Sequence, residues 1–316
     1  MIGFVDLFCG GGLGARGAVN AGCEPLLAVD AWEHAATTYA ANFPSARVYR
    51  GKVEEINPLY VLDGQLANLL ISSPECTNHS PAKGAQERNE DSRCTALQTI
   101  RWAKALKPRW IILENVPHIA SWPRWKEIIS ELEQLGYKTK QYILDSEKFG
   151  VPQSRRRLFM VADLEGKQPD TIIGNSPSRH AQSILDPLGT WPTTPLYRLG
   201  RAERTIRHAE RAISELGRET AFLVVYYGSD GSGGWQRLDS PLRTVTTLDR
   251  FALVEPSSAG YRMRMLQPPE LARAMGLPPE HELVAPTRRD KVKLCGNGIC
   301  APVMQAVIEQ TVTIAT

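Results

Sequence analysis

At 316 residues with a formal net charge of +3, the chain is long enough for a large core and two domains, and its charge is too mild to establish a polyanionic partner by itself. Six cysteines (Cys9, Cys23, Cys76, Cys94, Cys295, Cys300) form no CxxC pair and no zinc-spaced Cys/His alternation, which argues against a disulfide scaffold or a metal site and for reduced thiols in a cytosol. The opening "MIGFVDLF" lacks a charged lead-in, and no apolar run reaches membrane-spanning length, so the expectation is a cytoplasmic protein with no membrane partner.

In chain order, "IGFVDLF", "PLLAVD", "LANLLIS", "RWIILENV", "KTKQYIL" and "RLFMVAD" read as strands, with amphipathic stretches such as "EHAATTYAANF" and "RWKEIISELEQLG" between them. This alternation predicts an α/β fold over residues 1–165, a mixed but mostly parallel sheet with helices on both faces. Such sheets carry their sites beyond the carboxyl ends of the strands. From 166 to 262 a Pro- and Ser-rich connector, an Arg-studded helix and the short strands "AFLVVYY", "LRTVTT" and "FALV" suggest a smaller unit. Residues 263–289 read as a hinge with a helix, and 290–316 as a return to the first sheet.

The stretch "FVDLFCGGGLGARGA" (4–18) is a strand, a glycine turn and a helix start, with Gly12, Gly14 and Gly17 at GxGxxG spacing. Glycines there let backbone amides approach a ligand, and Asp30 at the end of the second strand is placed to accept from ribose hydroxyls. The pattern indicates a nucleoside cofactor and leaves NAD and S-adenosylmethionine open. In "SPECTNHSPAKG" (73–84) a single thiol, Cys76, follows a strand end in a polar loop that contains Ser80. A lone cysteine is more often structural than reactive, so its neighbours must decide. "RWIILENVPHI" (109–119) carries Glu114 and Asn115 at the end of an apolar strand. A carboxyl there is suited to partial desolvation and to donating to a ring nitrogen, although a helix-capping role fits equally well. "FGVPQSRRRLFMVAD" (149–163) threads Arg155 and Arg157 along one side of a strand entry and Arg156 along the other.

These blocks, in this order, resemble the DNA cytosine-5 methyltransferase family: "DLFCGGG" its first motif, "SPEC" its nucleophile motif, "ENV" and "QSRRR" the next two. "RMRMLQPPELARAMGLP" (262–278), with Arg264, Glu270 and Arg273, and "CGNGICAPV" (295–303) resemble its closing motifs. The resemblance implies an S-adenosylmethionine-dependent methyltransferase, Rossmann-like, with residues 166–262 as a target-recognition domain. It implies a cofactor site at Phe8, Gly10, Gly12, Leu13, Asp30 and Asn297. It implies Cys76 as the nucleophile toward C6 of a flipped-out cytosine, Glu114 as partner of N3 and the exocyclic amine, and Arg157 as donor to O2, with Arg155 and Asn115 supporting.

Double-stranded DNA is the implied partner, and an RNA cytosine-5 methyltransferase of the same fold the alternative. Arg201, Arg204, Arg207 and Arg211, spaced three, three and four apart, suit phosphate contacts along one helical face. Trp235 is a candidate for groove entry, and Ser80 for a contact from the loop over the base. A monomer is expected, because the duplex fills the cleft between the domains. The sequence departs from the family pattern at Glu75 (usually proline), Thr77 (glutamine), His79 (an aromatic residue), Lys52 (an aspartate facing the adenine amine) and Gly298 (serine). A glycine at 298 suggests extra room beside the methionine end of the donor.

Overall fold

The computed structural model describes residues 2–76, 78–79, 87–226 and 233–312. The elements, in chain order, begin with β1 (Ile2–Leu7), α1 (Leu13–Asn20), β2 (Cys23–Asp30), α2 (Glu33–Asn42), β3 (Arg47–Arg50), α3 (Pro58–Val61) and β4 (Leu69–Ser72). Next come α4 (Glu90–Cys94), α5 (Gln98–Leu106), β5 (Trp110–Asn115), α6 (Trp125–Gln134), β6 (Lys138–Asp145) and β7 (Arg156–Asp163). The second half holds β8 (Thr194–Pro195), α7 (Glu203–Leu216), β9 (Phe222–Val225), β10 (Trp235–Arg237), β11 (Phe251–Glu255), β12 (Arg262–Met265), α8 (Pro268–Ala274), α9 (Arg288–Asn297) and α10 (Ala301–Thr311).

Seven strands form one sheet in the order β3-β2-β1-β4-β5-β7-β6. The first five run parallel, and β7 pairs antiparallel with both β5 and β6. Every residue of β4 and β5 is buried, as expected for strands covered on both faces. Alternate residues feed two cores: Phe4, Leu69, Ile71 and Ile112 point to one face, and Val5, Leu7, Leu70 and Ile111 to the other. The strand order reverses direction between β1 and β4, and a crevice opens beyond their carboxyl ends at such a point.

A second sheet, antiparallel, has the order β10-β9-β11-β12-β8. Its residues also alternate. Phe222, Val224, Ala252 and Val254 pack with Ala209 and Ala212 of α7, whereas Leu223, Val225, Phe251 and Leu253 join the core that contains Phe4 and Ile112. The smaller sheet is therefore pressed onto the larger body by one face and covered by α7 on the other.

Three expectations shift. The second sheet begins at Thr194, and residues 169–176 belong with the first: Tyr142 donates to the carbonyl of Pro169 and Phe149 bridges to Ser176. Its last strand, β12, crosses the expected boundary at 262. "LRTVTT" joins no sheet; it lies along Pro152–Arg155, because Gln153 and Arg155 take its backbone groups in place of a neighbouring strand. The residues of the expected hinge are bound to one another. Arg264 and Glu270 make two contacts of 2.7 Å, and Glu270 also closes a capping box with Gln267 at the start of α8. Arg273 donates to the carbonyl of Ile184 and to Asp186, tying α8 to the connector.

Candidate active site

The turn after β1 reverses sharply. Phe8, Gly10 and Gly12 take left-handed φ values of 56°, 55° and 77°, a conformation that costs a bulky residue such as Phe8 free energy and tends to mark functional turns. Asp30 holds the turn in place by accepting from the Gly10 amide at 2.9 Å and the Trp32 amide at 2.8 Å. Its carboxyl is raised above the ordinary range by burial, against the pull of those two amides and of Lys293.

Four of the six expected cofactor residues, Phe8, Gly10, Leu13 and Asn297, line one narrow cleft together with Asp6 and Ser73. Asp30 stands behind Gly10 rather than in that cleft. Gly12 points elsewhere: a Cβ on it would lie 2.5 Å from the Phe43 ring. Gly14, which also lines the cleft, and Gly17 each have a packing reason to be glycine. A Cβ on Gly17 would stand 2.3 Å from the carbonyl of Ala301, and one on Gly14 3.1 Å from Ile299, so these glycines bring α1 against the turn into α10 and its first residues. The room expected beside Gly298 is filled by Leu13, whose Cδ2 lies 2.3 Å from where a Cβ would be. Asp6 was passed over by sequence reasoning, although a carboxyl inside an apolar strand was the available signal. It is only 2% exposed, and burial, reinforced by Asp30, pushes its carboxyl well above the usual range.

Lys52 is exposed at the start of a short helical turn and lies 3.9 Å from Glu55; Glu54 and Glu55 are exposed too. The amide of Gly51 donates to the carbonyl of Asp30 at 3.0 Å, which keeps this turn next to the end of β2.

Beside the cleft, Ser73 and Pro74 lead from β4 to Cys76, and Ser73 donates to the carbonyl of Phe8. Burial raises the Cys76 thiol; Arg157 and, less strongly, Arg155 oppose this, and Glu114 adds to it. Glu114, the last residue but one of β5, is 6% exposed and lies 3.2 Å from Nε of Arg157 on β7. Its carboxyl is raised by burial despite both arginines, and its Oε1 has no directed hydrogen bond. A carboxyl with proton-holding tendency and a guanidinium thus stand side by side next to a thiol, on adjacent strand ends.

The side chains of Asn115 and Arg155 are engaged by backbone groups. Asn115 donates to the carbonyl of Pro74 at 2.9 Å and accepts from the Val116 amide, fastening the cysteine loop to β5. Arg155 donates to the carbonyls of Val245, Gly296 and Gly298 at 2.8, 2.9 and 2.9 Å. Burial and neighbouring Arg157 lower its pKa to about 10.

Two departures from the family pattern acquire partners. Glu75 accepts a hydrogen bond from Ser92, and Asn78 donates to the same hydroxyl at 2.7 Å. His79 is buried with its ring edge-on to Trp122, centroids 5.1 Å apart, where an aromatic residue is usual. Neither ring nitrogen is hydrogen-bonded to a described residue, and burial and Arg93 lower its pKa to about 4, so it packs as a neutral ring. Thr77 and Ser80 lie outside the described residues.

The expected arginine stripe is broken. Arg201 precedes α7 and donates to the carbonyls of Leu196 and Pro195 and to the Thr194 hydroxyl, so it secures β8. Arg204, Arg207 and Arg211 are exposed on α7, with Arg207 paired to Glu203 at 3.0 Å. Because α7 covers the outer face of the smaller sheet, these side chains are not between that sheet and the catalytic body. Trp235 opens β10, half-buried against the α7 core. A cavity of about 510 Å³ between α8 and α9 contains none of the expected site residues.

The sequence profile of the C-5 cytosine-specific DNA methylase family matches residues 2–313. The chain is 25% identical over 333 residues to the type II methyltransferase M.NlaX of Neisseria lactamica, a match covering 98% of this chain and 96% of that one. It is 31% identical over 198 residues to the type II methyltransferase M1.HphI of Haemophilus parahaemolyticus, covering 60% of this chain and 52% of that one. Among solved structures, the methyltransferase EhMeth of Entamoeba histolytica shares the fold, with a TM-score of 0.72 at 16% identity over 98% of this chain and 97% of that one.

Proposed function

The chain belongs to the C-5 cytosine-specific DNA methylase family, and on that premise we propose that it methylates C5 of a cytosine extruded from duplex DNA, with Cys76 as nucleophile. Enzymes of this family use S-adenosylmethionine, which supplies an electrophilic methyl group when bound. The residues here fit it: Phe8 and Leu13 of the cleft offer apolar surface and Asp6 a buried carboxyl, while Asp30, behind Gly10 at the edge of the cleft, has lone pairs left for ribose hydroxyls.

The observation that carries the reading is the Glu114–Arg157 pair beside Cys76. Along the edge of cytosine, O2 and N3 are adjacent. A guanidinium and a proton-bearing carboxyl side by side match them, Arg157 to O2 and Glu114 to N3. Addition of the Cys76 thiolate to C6 pushes electrons into the ring, and these two groups stabilise the charge, which makes C5 nucleophilic enough to be methylated. Loss of the C5 proton to a base then expels Cys76. Burial raises the thiol in the free enzyme even with Arg157 beside it, so it must give up its proton to a base before it adds to C6.

Reaching the base requires it to leave the stack. The type II relatives are consistent with a sequence-specific modification enzyme, and we take DNA rather than RNA as the substrate on the family match. Incubation with duplex DNA containing 5-fluorocytosine and S-adenosylmethionine should trap a covalent complex whose peptide mass maps to Cys76, because fluorine cannot leave as a proton does. A complex formed equally well by Cys76→Ala, or by 5-fluorocytosine RNA alone, would refute the proposal.

A further inference from the structure

Strand β4 ends at Ser72, four residues before Cys76, so side-chain bonds rather than a strand ladder must place the thiol. Asn115 supplies one, fastening the stretch through the carbonyl of Pro74. A second attachment comes from α4. The hydroxyl of Ser92 donates to the carboxylate of Glu75 and accepts from Nδ2 of Asn78 at 2.7 Å. A serine hydroxyl has one proton to give and lone pairs to accept with, so both bonds form at once. Glu75 stands one residue before the nucleophile and Asn78 two after it, and a single hydroxyl therefore holds both flanks of Cys76. The His79 amide closes the turn further by donating to the carbonyl of Cys76 at 3.0 Å.

Ser92 is in turn tied to the core. Its amide donates to Oδ1 of Asn89, the N-cap of α4, at 2.9 Å, and its carbonyl accepts from the Thr95 hydroxyl at 2.7 Å. Within α4, Glu90 accepts from Nε1 of Trp122 at 2.9 Å. Arg93 pairs with Glu90 at 3.1 Å and lies over the Trp122 ring, 5.5 Å from its centroid. Trp122 is 2% exposed and belongs to the core that contains Ile128 of α6. Asn78 repeats the closure: its Oδ1 accepts from the Asn89 amide and its carbonyl from Nη1 of Arg88, both at 2.9 Å. A path of directed bonds thus runs from a buried tryptophan through α4 and Ser92 to the two neighbours of Cys76.

Addition of sulfur to C6 is sensitive to where the sulfur stands, and a displacement of about 1 Å costs on the order of 10²-fold in rate. We infer that Ser92 is a positioning residue for the nucleophile: by holding Glu75 and Asn78 together, its hydroxyl sets where the Cys76 sulfur stands relative to the extruded cytosine. It acts through those neighbours and not on the base itself. This rests on the assignment of Cys76 as nucleophile proposed above.

The test is single-turnover methyl transfer to duplex DNA, with formation of the 5-fluorocytosine adduct and the Kd for S-adenosylmethionine measured alongside, for the wild type, Ser92→Ala, Ser92→Thr and Glu75→Ala. Ser92→Ala should slow both methyl transfer and adduct formation about tenfold to a hundredfold, while the cofactor Kd moves by less than about twofold. Ser92→Thr, which restores the hydroxyl, should recover most of that loss. Glu75 is exposed, so Glu75→Ala removes the same bond without disturbing α4 and should slow the reaction about threefold to tenfold, the magnitude of one hydrogen bond. Added to Ser92→Ala, it should cost less than about a further twofold, because the two changes remove one interaction. Rates of Ser92→Ala and Glu75→Ala within about twofold of the wild type, a loss matched by weaker cofactor binding, or no recovery with threonine would overturn the inference and leave the enzyme's function standing. A wild-type enzyme that forms no adduct through Cys76 would overturn both.

Discussion

Glu114→Gln separates catalysis from stability. The carboxylate lies 3.2 Å from Nε of Arg157, and at an effective dielectric constant of about 20 that distance gives an attraction of roughly 5 kcal/mol. Burying the two charges costs several kcal/mol each, so the pair contributes little net stability. The direction of the Glu114 shift agrees, because burial outweighs both arginines and raises its pKa. A folded-state pKa above the unfolded value means that the native state binds more protons. The stability contributed is complete below the unfolded value and is lost as pH rises through the folded one. At pH 7 to 8 the neutral isostere should therefore be at least as stable as the wild type, with an advantage that disappears in acid. Activity should nevertheless fall about 10²- to 10⁴-fold, since an amide cannot deliver a proton to N3. Urea denaturation across pH 4–8 and methyl transfer to duplex DNA measure the two quantities. A loss of activity under about tenfold, or a loss of more than about 2 kcal/mol at neutral pH, would show that Glu114 serves mainly as a structural partner of Arg157.

Other expectations follow from the same geometry. Gly12→Ala should cost about 2–5 kcal/mol in urea denaturation, combining a left-handed backbone with overpacking against Phe43. Gly10→Ala has the backbone term alone, with nothing within 4 Å of the added carbon, and should cost about 1–2 kcal/mol. Arg155→Met should cost at least about 3 kcal/mol, because the carbonyls of Val245, Gly296 and Gly298 lose their donor. In the same variant, hydrogen exchange should quicken at the Val245 amide. Alkylation of Cys76 in the free enzyme should be slow at pH 7 and keep rising past pH 9, because burial holds the thiol above its ordinary value. A plateau below pH 8 would contradict that.

The ends of the apolar strands were readable in the sequence because the signal is local: "LLIS" followed by a cysteine loop, and "WIILEN" closing on a carboxylate, put Cys76 and Glu114 at neighbouring strand ends. Long-range contacts were not readable. That Gly17 serves α10, that Leu13 fills the space beside Gly298, and that Arg155 answers carbonyls 90 and 141 positions away depend on partners no local pattern reveals. Arginine periodicity at 201–211 reproduced a helical face but could not show which side of the smaller sheet that helix would cover. The role of residues 242–245 stayed hidden for the same reason. An apolar–polar alternation reads as a sheet strand, whereas here the partners are a buried glutamine and a buried arginine.

The most direct test of the account is mass spectrometry of nucleosides from total DNA and RNA of a host without cytosine methylation, expressing this chain or its Cys76→Ala variant. New 5-methyldeoxycytidine that vanishes with Cys76→Ala is the predicted result. Methylation that persists without the thiol, or that appears in RNA alone, would contradict it.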